Sequence, residues 1–263
     1  VDRYDFAVGT PVFTFTGDNP SSLVGMGAAV PGSVVISLGT SDTFFAAMPT
    51  PLTDPEGCGH VFGNPLGGYM TLQCFLNGSL ARERVREALG LDWDGFSAAI
   101  RRTQPGAGGK LMLPLFGPEI SPRLEASAPL CSGPIAEPWA TDPDVARAAI
   151  EGQFLNIKRA SAWMQRAPES IFLTGGASAN DAIAQVCADV FQTPVQRLNV
   201  SASVALGAAI RAWLAAQKAP ASAADALLAP FREARTFTPE TAAASIYEER
   251  MATLTHLLAQ ATA

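Results

Sequence analysis

At 263 residues the chain is long enough for one large or two modest domains, and its net charge of −6 argues against a nucleic-acid surface. Hydrophobic residues make up 48% and charged residues 16%, which excludes general disorder and fits a well-buried globular protein. The arginines at 82, 84 and 86 alternate with Glu83 and Glu87 on a predicted helix and read as a solvated face. Cys58, Cys74, Cys131 and Cys187 are scattered without CxxC spacing, so neither a zinc site nor a disulfide framework is expected. His60 and His256 stand without ligand or triad context. With no signal-peptide pattern and no apolar run of bilayer length, the expectation is a soluble cytoplasmic protein without membrane or nucleic-acid partners.

In chain order, an apolar run predicts a first strand over Pro11–Thr16, followed by a helix from Pro20 to about Ala28 and a turn at Pro31-Gly32. Strands follow at about 33–38 and 43–48. Residues 49–68, rich in Pro and Gly, read as an excursion loop. Tyr69–Phe75 is a strand, Asn77-Gly78-Ser79 opens a helix to about Leu89, and Asp92–Arg102 forms another. Leu111–Phe116 predicts a short strand, and 117–140 is irregular. Thr141-Asp142-Pro143-Asp144 signals the start of a long helix to about Gln165. The next segment alternates strand Ser170–Thr174, tight loop 175–178, helix Asn180–Phe191, strand Val195–Asn199 and helix Ser203–Gln217. A connection with one short helix, 218–239, leads to a final amphipathic helix over about 240–261.

Three loops at the ends of apolar runs carry the chemistry. Asp18 follows Thr16-Gly17 and precedes Asn19-Pro20. As a carboxylate it can take a proton from an attacking hydroxyl that Asn19 holds, yet Asp-Asn-Pro is equally an ordinary helix start. Gly39-Thr40-Ser41 after Val34–Leu38 forms either an anion-binding nest or a plain hairpin turn. Thr174-Gly175-Gly176-Ala177-Ser178, between a strand and a helix, allows close backbone approach to a flat or anionic ligand. No dinucleotide fingerprint, Walker loop or GxSxG is present.

Taken in order, TGDNP, VVISLGTSDT and FLTGGASAN resemble the C-terminal half of the FGGY carbohydrate kinases, most closely the xylulose kinases among them. HVFGNP, CFLNGSLARERVRE, IEGQFLNIKRASAWM and VCADVFQTPVQ are similar to that family too, so the resemblance covers nearly the whole chain. It implies an α/β, ribonuclease-H-like or actin-type ATPase domain, a mixed sheet flanked by helices. It implies ATP with Mg²⁺ as cofactors and phosphoryl transfer to the 5-hydroxyl of D-xylulose, with ribulose or glycerol as alternative acceptors. A non-catalytic, actin-like nucleotide-binding module is the alternative of another class. Carried over, Asp18 resembles the catalytic base and a sugar ligand, and Asn19 a second sugar contact. Gly39, Thr40 and Ser41 resemble the loop at the β- and γ-phosphates. Gly175, Gly176, Ala177 and Asn180 resemble the nucleoside loop, with Trp93 near the adenosine, although Trp93 at helical spacing with Phe96 and Ile100 also fits a core position. The family is about twice this length. The expectation is therefore a single C-terminal domain over 1–263, with insertion loops near 49–68 and 117–140. On that view the sugar-binding half and the metal carboxylate are missing, the chain is incomplete for catalysis alone, and self-association through the open cleft is expected.

Overall fold

Val34, Ile36 and Leu38 alternate with Val35 and Ser37, and Phe44 and Ala46 alternate with Phe45 and Ala47. A hairpin of these two runs therefore buries a different apolar row on each face. In the computed structural model, which describes residues 3, 5–14, 16–136, 138–197, 202–231 and 235–261, the runs are β1 (Ser33–Leu38) and β2 (Asp42–Met48), paired antiparallel. Beyond β2 the sheet continues antiparallel through β4 (Tyr69–Phe75) to β3 (His60–Gly63). Two small ribbons lie outside it: β5 (Leu111–Leu113) pairs with β8 (Leu130–Ser132), and β6 (Glu119–Ile120) with β7 (Arg123–Leu124). On the other side of β1, β9 (Ser170–Thr174) and β10 (Val195–Arg197) run parallel to it, and β11 (Arg235–Phe237) closes the edge antiparallel to β10. Among the described residues this is one seven-stranded mixed sheet of order β11-β10-β9-β1-β2-β4-β3.

Helices cover both faces. On one, Leu23 of α1 (Asp18–Gly25) and Met26 just after it bury against Val35, Phe45 and Phe172. On the other, α4 (Val145–Ser161) and α5 (Asp181–Phe191) bury Phe154, Leu155 and Val186 against Ile36, Phe44 and Ile171. Around these pack α2 (Ser79–Ala88), α3 (Trp93–Arg102) and α8 (Ala244–Ala261). Each such side chain, fully buried, stabilises the fold by about 1.5–3 kcal/mol. α6 (Ser203–Gln217) crosses α1, and α7 (Ala224–Leu228) packs on α6.

The α1–α6 crossing is made by glycines. A Cβ on Gly207 would lie 1.8 Å from the Ser21 carbonyl oxygen, and one on Gly25 would lie 1.9 Å from that of Ser203. Ser22 and Ser203 hydroxyls meet at 2.8 Å beside it. Gly207→Val is accordingly expected to lower stability by about 1–3 kcal/mol through forced separation of the helices. The measurement is the urea midpoint, and an unchanged midpoint would refute the contact.

Beneath α4 a buried polar cluster joins the C-terminal helix to the body. Arg147 Nε donates to Glu151 Oε1 at 2.7 Å and Nη2 donates to the Tyr247 hydroxyl at 3.0 Å. That hydroxyl in turn donates to Glu151 Oε1 at 2.8 Å. Burial pushes both the Glu151 carboxyl and the Tyr247 phenol up from their ordinary values.

Several expectations from sequence are corrected. Residues 11–14 form no strand: Val12 is 94% exposed, and without a neighbouring ladder an apolar run has nothing to pair with. Phe15, within that predicted strand, lies outside the described residues, as do residues 198 and 199 of the predicted strand at 195–199. The helix expected from Pro20 begins at Asp18. The 49–68 loop contains β3, the segment 117–140 contains β6, β7 and β8, and 218–239 adds β11 to its short helix. Asp144 occupies the N-cap position of α4 but makes no capping hydrogen bond, because Lys110 engages Asp142 and Asp144 instead. Arg82 is no solvated residue: it is 2% exposed. All four cysteines are free thiols. Among the described residues no helix is long and apolar enough to cross a membrane.

Candidate functional site

β1, β4, β9 and β10 all run in one direction, so their C-terminal ends share one edge of the sheet. That edge is where α/β proteins leave backbone groups free for ligands. The turn Gly39–Ser41 closes the β1–β2 hairpin there, with Thr40 exposed and Gly39 and Ser41 half-buried. Among the described residues the N–H groups of Thr40 and Ser41 donate no hydrogen bond. Beside this turn, Gly175 leaves β9 with φ +85°, a left-handed conformation that favours glycine. A Cβ on Gly175 would come within 2.5 Å of the Leu38 carbonyl oxygen, so the two predicted loops lie side by side.

The loop after Gly175 is locally pinned. Ser178 Oγ donates to the Gly175 carbonyl at 2.7 Å. Asn180 Oδ1 accepts from the N–H groups of Ala182 and Ile183, which makes it the N-cap of α5. Its Nδ2 donates to Ser97 Oγ on α3 at 2.6 Å. One amide thus caps one helix and ties it to another. Between α3 and this loop opens a cavity of about 590 Å³ lined by Trp93, Ser97, Arg101, Gly176, Ala177 and Asn180. Trp93 is 45% exposed, whereas Phe96 and Ile100 on the same helix are buried, so the core reading of Trp93 is overturned. Its ring meets Phe96 edge-on at 5.8 Å and carries the Arg86 guanidinium 5.0 Å from its centroid.

Asp18 stands on the other face of the sheet, exposed in the first turn of α1. The N–H and Nδ2 of Asn19 donate to its Oδ1 at 2.7 and 3.2 Å. It belongs to the same edge: the Cys74 thiol near the end of β4 is pushed up by burial, then by the Glu119 carboxylate and then by that of Asp18. The structure therefore brings Gly39, Thr40, Ser41 and Gly175 to one edge, with Trp93, Gly176, Ala177 and Asn180 around a cavity on one face and Asp18 with Asn19 on the other.

One feature was missed in the sequence. Phe172, Val35, Phe45 and Leu72 are neighbours across β9, β1, β2 and β4, and they pack beneath α1. Two residues nearer the edge, the same face carries Thr174, Ser37, Thr43 and Cys74, all half-buried. The floor changes from apolar to hydroxyl-bearing where the helix cover ends. Single Ser, Thr and Cys residues at strand ends were its signal. Ser97 gave none, since its role exists only through Asn180.

A mixed sheet with helices on both faces, and glycine-bearing loops at the shared end of its parallel strands, is the architecture of the actin-type, ribonuclease-H-like ATPases. The chain belongs to the FGGY family of carbohydrate kinases: the family's C-terminal domain matches residues 34–216. It is 41% identical over 220 residues to xylulose kinase of Rattus norvegicus, covering 81% of this chain and 40% of that protein. It is 37% identical over 239 residues to xylulose kinase 2 of Arabidopsis thaliana, covering 83% of this chain and 42% of that one. The crystal structure of xylulose kinase from Rhodospirillum rubrum shares the fold with a TM-score of 0.83 at 23% identity, covering 97% of this chain and 52% of that chain. The chain thus spans roughly two fifths of the curated relatives' length.

Proposed function

We propose that this chain is the nucleotide-binding part of a sugar kinase that phosphorylates D-xylulose on its 5-hydroxyl, with Asp18 as general base. The observation that carries the reading is the meeting, at one sheet edge, of a turn with free N–H donors, a cavity lined by Trp93, Gly176 and Asn180, and the exposed Asp18 carboxylate. A cavity of about 590 Å³ lies within the range that small-molecule sites occupy, about 300–1,000 Å³. Trp93, Gly176, Ala177 and Asn180 would hold the nucleoside, and Gly39, Thr40 and Ser41 the terminal phosphates. ATP supplies the phosphoryl group. Asp18 takes the proton of the attacking hydroxyl as its oxygen bonds to the γ-phosphorus, and ADP departs with the electrons of the broken bond. Asn19 keeps the carboxylate aimed and is a second contact for the sugar.

Among the described residues no group of three or more His, Cys, Asp or Glu stands together to hold a metal. No step is therefore assigned to Mg²⁺ through these side chains. The sugar pocket belongs, on this reading, mainly to the part of the relatives that this chain does not span. Two measurements test the proposal. Calorimetry on this chain is expected to show ADP binding, and absence of binding would refute the nucleotide site. With the rest of the kinase present, D-xylulose is expected to be phosphorylated in preference to ribulose and glycerol, and a reversed order would overturn the acceptor assignment.

A further inference from the structure

We propose that the buried Asp42–Arg82 pair shapes the Gly39–Ser41 turn for the terminal phosphates of a nucleoside triphosphate, which makes both positioning residues. The inference rests on the nucleotide reading above.

Asp42 is the first residue of β2, directly after the turn, and pairs with Leu38 across the ladder. Arg82 reaches back from α2 with a two-pronged grip, Nη1 to Oδ2 at 2.7 Å and Nη2 to Oδ1 at 2.8 Å. Both side chains are 2% exposed. The same guanidinium donates to Ser79 Oγ at 2.9 Å and to Gln153 Oε1 at 3.1 Å. Gln153, on α4, donates in turn to the carbonyl of Asn77 at 2.7 Å. The start of α2 is thereby fixed, and that start is what holds the turn. Ser79 N–H donates to the Gly39 carbonyl at 2.8 Å, and Gly78 packs so closely that a Cβ would lie 2.7 Å from the Thr40 carbonyl oxygen.

The Gly39 and Thr40 carbonyls therefore face the start of α2, while the N–H groups of Thr40 and Ser41 stay free of protein acceptors among the described residues. This separation of acceptors from donors is what an anion site needs. Stability alone is a weak reason for the arrangement. A buried ion pair recovers little beyond its desolvation cost, and an apolar pair of similar volume often does as well. Arg82 Nε is itself buried without a hydrogen-bond partner, so the guanidinium is oriented for its neighbours rather than for full satisfaction.

The test replaces the pair by apolar residues together, D42L/R82M, so that no lone charge is left buried. Arg82→Lys, which keeps the charge but loses the two-pronged geometry, serves as the second variant. ATP and AMP affinities are read by calorimetry on this chain. The expected result for both variants is ATP affinity lower by about tenfold or more, the worth of one charge-assisted hydrogen bond, with AMP affinity within about twofold of the parent. Equal loss for ATP and AMP would mean that the pair only holds the fold, and no loss for either would mean that it does not shape the turn. Each result overturns the proposal. Failure of the nucleotide reading itself is separately visible, as no ATP binding by the unaltered chain.

Discussion

Asp18→Asn is expected to lower kcat by about 10²- to 10⁴-fold in a kinase that pairs this chain with the rest of the relatives' length. Asn matches Asp in size and can accept the same Asn19 hydrogen bonds, but it cannot take up a proton. The loss should therefore fall on kcat and leave KM for ATP nearly unchanged, because Asp18 lies across the sheet edge from the cavity around Trp93 and Asn180. Steady-state kinetics at saturating sugar decide the matter. Turnover near the parent value would remove Asp18 as base, and a loss confined to KM would reduce it to a binding residue.

Arg147→Leu is expected to destabilise the fold by about 3–5 kcal/mol, because it leaves the Glu151 carboxylate buried with its cation gone. The carboxyl of Glu151 is already held above its ordinary value by burial, with Arg147 the strongest influence pulling it back down. Without Arg147 it rises further. A carboxyl raised in the folded state binds its proton there while the unfolded chain does not, so stability falls as pH rises through the folded value. The deficit of the variant should accordingly be largest near neutral pH and shrink toward the ordinary carboxylate range. Tyr247 and Asp189 also face Arg147, but the Tyr247 phenol is pushed up from its usual range, and Asp189 keeps hydrogen bonds from Gln185 and the Glu240 N–H. Denaturant midpoints at pH 7 and pH 5 provide the check. An equal deficit at both would show that Glu151 does not govern the effect.

Much of the sheet was legible because its strands are buried on both faces and bounded by Gly and Pro. β1, β2, β4, β9, α5 and α6 stand where the hydrophobic pattern put them. The pattern failed where partners decide the outcome. Val12 and its neighbours read like β1, yet among the described residues no strand pairs with them, while His60–Gly63 reads like a loop and pairs with β4 because a reversed chain brings it there. The three chemical loops were visible individually, but only spatial proximity distinguishes a ligand edge from ordinary turns. Asp18 is the first residue of α1, but Gly17 holds the N-cap position and no side chain caps the helix, so the start of the helix does not account for the carboxylate. Arg82 was misread because the solvated face is true of Arg84, which is exposed, and false of Arg82, which turns inward, and of Arg86, which lies over the Trp93 ring. Periodicity places an arginine on a face of a helix, but it does not say that Asp42 waits beneath that face.

The glycine crossing of α1 and α6 leaves no side chain between the two helices at Gly25 and Gly207. A joint of backbone against backbone has no rotamer that can absorb a small tilt: motion one way collides, and motion the other way opens an empty seam. At this joint α1 and α6 therefore shift together. The placement of α1, with the Asp18 carboxylate at its start, is thus sensitive to substitutions along α6.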